Sequence, residues 1–163
     1  MPQGKLISAL KDLCGKDIRF VLVGGLAAAL HGAPGQTYDV DVVYSPEPEN
    51  IQRLLDFLRE ADAVFRIQPH RSLRPNESHL AGGGHLNLLT RYGPVDLLGT
   101  IGNHLGYADL LPHSIEMDIG EGMHIRVLDL ETIIAVKEQL ATEKDLAALP
   151  ALYQTLRQKK KSL

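Results

Sequence analysis

Asp39 and Asp41 stand two residues apart in the stretch TYDVDVV. On an extended strand residues i and i+2 share a face, so both carboxylates point one way and Val40 and Val42 point into a core. Two ionised carboxylates side by side raise each other's pKa unless a cation sits between them. Paired oxygen donors suit Mg²⁺, which keeps several waters and shares its shell with substrate phosphates. Upstream, the apolar run FVLV ends at Gly24-Gly25. Glycines between a strand and a helix let a ligand approach the backbone, and the helix opens with free N–H groups that favour phosphate. These residues together describe a site for a metal-chelated nucleotide.

A third carboxylate, Asp96, lies in GPVDLLG, a strand pattern with Val95 and Leu97 on one face and Asp96 and Leu98 on the other. If that strand neighbours the one carrying Asp41, three carboxylates converge. Two metal ions then fit, one placing a triphosphate and one lowering the pKa of an attacking hydroxyl. Otherwise Asp96 is an exposed residue at a strand start. Lys137 sits in the middle of a helical stripe of Leu130, Ile133, Ile134, Leu140 and Ala141. An ammonium there must snorkel out or find an anion, and the aspartates and nucleotide phosphates are available partners. Arg71 and Arg74 fall in the loop-like stretch Pro69 to Gly84, whose Gly82-Gly83-Gly84 suits a hinge. They are read either as clamps on phosphate or an acidic acceptor, or as solvated loop charges. Lys144, at a helix start where its charge opposes the macrodipole, is read as solvated. His31 reads as a helix cap or core residue, and Thr37 as a backbone partner in the turn before Asp39. The seven histidines are scattered rather than grouped at zinc spacing.

The pattern Gly24, Gly25, Ala27, His31, Gly32, Thr37, Asp39, Asp41 resembles the active-site motif of the polymerase-beta-type nucleotidyltransferase superfamily. It is most similar to small bacterial members related to the nucleotidyltransferase toxins of abortive-infection systems. The resemblance continues through Gly93 to Gly99 and Val127 to Leu149, and so covers most of the chain. Two departures stand out: Gln36 occupies a position where many relatives carry a basic residue, and Gly24-Gly25 stands where better-studied transferases have Gly-Ser. The resemblance implies Mg²⁺ (or Mn²⁺) on Asp39, Asp41 and Asp96, with Asp96 as general base and Lys137 facing the active site. It implies transfer of a nucleoside monophosphate from an NTP to a hydroxyl acceptor of RNA, protein or a small molecule. An antitoxin or a second copy of the chain is the protein partner it suggests. The alternative is a catalytically silent nucleotide-binding or toxin–antitoxin module of the same fold.

Composition sets the frame around this site. With 163 residues and 44% hydrophobic content, the chain encloses one core, so a single domain over 1–163 is expected. A net charge of −3 provides no global positive field for nucleic acid, and 5% aromatics leave few rings on which bases could stack. One cysteine excludes an internal disulfide. No cationic leader or membrane-length apolar run is present, so a cytoplasmic protein without membrane contact is expected. Hydrophobic periodicity gives helices over 5–13, 26–31 and 48–61 and strands over 20–23, 39–44 and 64–67. Further strands fall at 85–90, 94–98, 115–119 and 123–128, followed by helices over 130–141 and 143 to about 158. Thr142 and Asp145 form a capping box, and Pro150 is expected to kink or split the last helix. The basic tail, Arg157 and Lys159 to Lys161, is expected to be solvated or frayed. The fold class is α/β (α+β), a small mixed β-sheet flanked by helices, with a core of about 18–128 and C-terminal helices of about 130–158.

Overall fold

Apolar runs with no polar face belong in a sheet interior, and Phe20–Val23 is buried at every position. A computed structural model describes residues 2–162. In chain order its elements begin α1 (Pro2–Gly15), β1 (Phe20–Val23), α2 (Gly24–Leu30), β2 (Val40–Tyr44) and α3 (Pro48–Glu60). Next come β3 (Val64–Phe65), α4 (Glu77–Ala81), β4 (His85–Thr90), β5 (Gly93–Leu98), β6 (Thr100–Ile101), β7 (Leu105–Gly106) and α5 (Tyr107–Leu110). The chain closes with β8 (Ser114–Gly120), β9 (Met123–Leu128), α6 (Leu130–Leu140) and α7 (Glu143–Lys161). This is the mixed sheet with flanking and C-terminal helices that the sequence implies.

Seven strands form one sheet in the order β3-β4-β5-β2-β1-β9-β8, and β6 and β7 form a separate ribbon. The β2–β5 and β1–β9 pairs are parallel; the other pairs of the large sheet are antiparallel. Val40, Val42, Val95 and Leu97 are fully buried on one face of β2 and β5. Tyr44, on that same face, donates its hydroxyl to the Leu80 carbonyl of α4. Alternation then sends Asp41 and Asp96 to the opposite face, and the register sets them directly side by side.

Three local expectations are corrected. The stretch 69–84 is not structureless: it holds a 3₁₀ turn at Pro69–Arg71 and the short helix α4. Asn76 caps α4 in a capping box with His79, and fully buried Leu80 pins the helix to the core. β3 stops at Phe65, two residues early, as the Arg66 side chain turns toward the sheet's polar face. Pro150 does not split α7, which runs unbroken through it with Leu149 and Leu152 on either side buried in the core. The Thr142–Asp145 capping box is present as read. Among the described residues no helix is long and apolar enough to cross a membrane.

Candidate active site

The site is assembled by sheet register. Val23 of β1 pairs with Asp41 of β2, Asp41 with Asp96 of β5, and Asp96 with Asn87 of β4. Asp39 lies two residues before Asp41 and shares its face. Asp39, Asp41 and Asp96 each offer a carboxylate oxygen within 4.8 Å of the others, which brings the three expected ligands together. Three hard, anionic oxygen donors on one wall match the ligand set of Mg²⁺ or Mn²⁺ and leave positions for substrate oxygens.

Crowding these charges has a visible cost. Burial raises the Asp41 pKa most, the Asp96 hydrogen bond and the Asp39 and Asp96 charges add to it, and the result is about 8. Asp39 is also raised, first by burial and then by the charge of Asp96, while Arg66 and Lys144 pull it back. A divalent cation would relieve the same strain, so the donor set fits a metal electrostatically as well as chemically.

Arg66 is the residue that the sequence reading missed. It follows β3, its N–H bonds the Asn87 carbonyl at 2.9 Å, and its guanidinium donates to Asp96 Oδ1 at 2.6 Å. Asp96 is only 13% exposed and Arg66 34%, so the pair is partly shielded from water. Arg66, Asn87, Asp96 and Asp41 thus form a row from the end of β3 across β4, β5 and β2. Nothing in local sequence links Arg66 to Asp96; only the β3–β4–β5 pairing does. Arg71 and Arg74, read either as substrate clamps or as solvated loop charges, lie away from the aspartates. Arg74 pairs with Asp62 just past α3 at 2.6 Å, and Arg71 donates to Gln68 at 3.2 Å. Neither lines a cavity that contains an aspartate of the cluster.

Gly24 opens α2 with φ +74°, and a Cβ there would collide with the Asp41 carboxylate. Only glycine fits this close approach. At Gly25 a Cβ would stand 3.2 Å from Thr37 Oγ1, a tight contact with the turn that leads into Asp39. Thr37 keeps the local role expected of it, donating to the Asp39 carbonyl at 3.4 Å.

A cleft of about 600 Å³ opens beside these residues, lined by Gly24, Gly25, Asp39, Asp41, Lys137 and Lys144. Lys137 therefore faces the cleft rather than open solvent, and its Nζ lies 3.6 Å from Asp145 Oδ1. The Thr142 hydroxyl holds Asp145 below the usual carboxylate range first, with Lys137 contributing. Asp145, read only as a cap, thus also anchors the lysine. Lys144, read as solvated, borders the same cleft because α7 starts beside the Asp39 turn. Gln36 lines the cleft too and accepts a hydrogen bond from the Tyr38 hydroxyl.

His31 takes the core role. Its Nε2 lies 2.8 Å from the Leu128 carbonyl, which can only accept, so Nε2 carries the proton. Its Nδ1 faces the Lys159 ammonium, which can only donate. Burial lowers the pKa of His31, consistent with a neutral ring. The basic tail is corrected at one position: Lys159 is tied to α2 through His31 rather than frayed.

No family model matches the chain, and no curated protein sequence matches it. Among solved structures it is similar to the lincosamide antibiotic adenylyltransferase LnuA with lincomycin bound. The TM-score is 0.57 at 15% identity, over 93% of this chain and 96% of that one. At this identity the likeness speaks for architecture, and the chain has the fold of that adenylyltransferase along nearly its whole length.

Proposed function

We propose that this protein is a Mg²⁺-dependent nucleotidyltransferase that moves a nucleoside monophosphate from an NTP to a hydroxyl of a small-molecule acceptor, releasing pyrophosphate. The observation that carries this reading is the cluster of Asp39, Asp41 and Asp96 within 4.8 Å of one another, with Asp39 and Asp41 on the wall of a nucleotide-sized cleft. The fold shared with an adenylyltransferase crystallised with an antibiotic supports the choice of a small molecule over RNA or protein. Fold alone would not license an activity, and the site supplies the chemistry.

Asp39 and Asp41 would hold the metal, and Asp96 would complete its shell and accept the proton of the acceptor hydroxyl. The metal, when bound, supplies charge for the triphosphate and acidity for that hydroxyl. Gly24-Gly25 admits phosphate close to the backbone. Lys137, aimed by Asp145, and Lys144 place positive charge along the cleft, where negative charge grows during transfer. Arg66 holds Asp96 by one oxygen and leaves the other for chemistry. A cytoplasmic NTP pool is the fitting supply.

The competing reading is a nucleotide-binding or toxin–antitoxin module that transfers nothing. It draws on Gln36, which leaves that position of the cleft without a cation. Incubation with Mg²⁺ or Mn²⁺, each of the four labelled NTPs and a panel of hydroxyl acceptors separates the two. Pyrophosphate release that disappears in Asp41→Asn supports the transferase. Nucleotide-dependent stabilisation with no pyrophosphate from any NTP overturns it in favour of the module.

A further inference from the structure

A second cavity of about 160 Å³ adjoins the nucleotide cleft and shares Gly24, Asp41, Lys137 and Asp145 with it. Its other walls are apolar: Leu98 at the end of β5, Ile101 of β6, and Ile133, Val136 and Leu140 of α6. We propose that this chamber takes an apolar substituent of the acceptor, about six carbons in size, and that the acceptor is therefore an amphiphilic alcohol. The proposal rests on the transferase reading and names the substrate class of that site.

Three observations carry it. The polar residues that line the chamber, Asp41, Lys137 and Asp145, are all shared with the larger cleft, and every residue that lines the chamber alone is apolar. A nucleobase pushed into it would leave its ring donors and acceptors unpaired, which is costly, so the nucleotide belongs in the larger cleft with Gln36, Thr37 and Lys144. The two cavities meet at Asp41, and transfer requires acceptor oxygen and leaving oxygen roughly in line on opposite sides of phosphorus. Nucleotide in the cleft and acceptor in the chamber would bring both oxygens to Asp41, where the two cavities meet. Size sets the scale: an apolar cavity of about 150 Å³ admits one benzene ring, and this chamber, open at its half-exposed Leu140 rim, has close to that volume.

The reaction balances without a further reagent. The acceptor oxygen forms a bond to the α-phosphorus, the bond from that phosphorus to the bridging oxygen breaks, and pyrophosphate leaves. The hydroxyl proton goes to Asp96.

The test is a series of straight-chain alcohols from ethanol to octanol, with glycerol as control, titrated into methyl-labelled protein and followed by NMR. Methyl shifts should fall on Ile101, Ile133, Val136 and Leu140. Apparent affinity should rise roughly fourfold per methylene and level off near six carbons. With Mg²⁺ and each NTP, hexanol should half-saturate pyrophosphate release at about two orders of magnitude lower concentration than ethanol. Filling the chamber with Val136→Phe, or with Leu140→Trp from its half-exposed rim position, should weaken hexanol binding at least tenfold. Shifts elsewhere, an affinity that climbs through octanol, or glycerol acting like hexanol would overturn the proposal. The methyl titration needs no metal or nucleotide, so a failed transfer assay sinks the transferase reading separately from the chamber.

Discussion

Replacing Asp41 by Asn changes how the metal-free protein responds to pH. The three aspartates approach within 4.8 Å. At that separation and an effective dielectric of about 20, two unit charges interact by roughly 3.5 kcal/mol. Burial first, and then the Asp96 hydrogen bond and these charges, make Asp41 keep its proton to about pH 8, against 3.8 for an ordinary aspartate. Between those values the folded protein holds more protons than the unfolded chain. Stability therefore falls as pH rises through the window, by at most about 1.4 kcal/mol per pH unit for one group. Asparagine copies the shape of the protonated carboxyl and does not titrate. The stability difference between wild type and Asp41→Asn should thus shift toward the variant from pH 5 to pH 8. Urea unfolding in EDTA at four pH values measures it, with equal m-values confirming that the same surface unfolds. Mg²⁺ with nucleotide should flatten the wild-type slope, since a cation favours the ionised carboxylate. A difference that does not vary with pH would refute the reasoning.

The other predictions follow from single contacts. Gly24→Ala forces a side chain into φ +74° against Asp41; at about 1–3 kcal/mol it should lower Tm by roughly 5 °C in calorimetry and abolish Mg²⁺-dependent nucleotide binding. Arg66→Gln removes the charge-assisted bond to Asp96. In single-turnover assays transfer should slow about 10- to 100-fold at nearly unchanged NTP affinity, with Arg66→Lys recovering part; an equal loss of NTP affinity would argue against it. Lys137→Met keeps the stem and its packing, so Tm should hold while calorimetric titration shows NTP affinity reduced about tenfold. Unchanged affinity would leave Lys137 as a partner of Asp145 only.

Much of the frame was legible in the chain because one face of each strand had to be buried. Val40 and Val42, and likewise Val95 and Leu97, fix which way Asp41 and Asp96 point. What the pattern leaves open is which strands are neighbours, and that is where Arg66 was lost: its partner is 30 residues away and is reached through two strand pairings. Arg71 and Arg74 looked stronger because they sit in a long polar stretch. That stretch is fastened by Asn76 and Leu80, and a five-residue helix offers too few positions for periodicity to reveal it. Asp145 was read correctly as a cap, yet its second contact, to Lys137, depends on how α6 and α7 pack. Lys137 itself was visible because a charge inside an apolar stripe requires a partner.

The most direct test of the central claim is anomalous diffraction from crystals soaked in Mn²⁺ and a non-hydrolysable NTP analogue. The account predicts manganese about 2.1 Å from carboxylate oxygens of Asp39 and Asp41, with the triphosphate over Gly24-Gly25 in the same cleft. Manganese bound away from these aspartates, or nucleotide held in the cleft with no metal beside them, would contradict it.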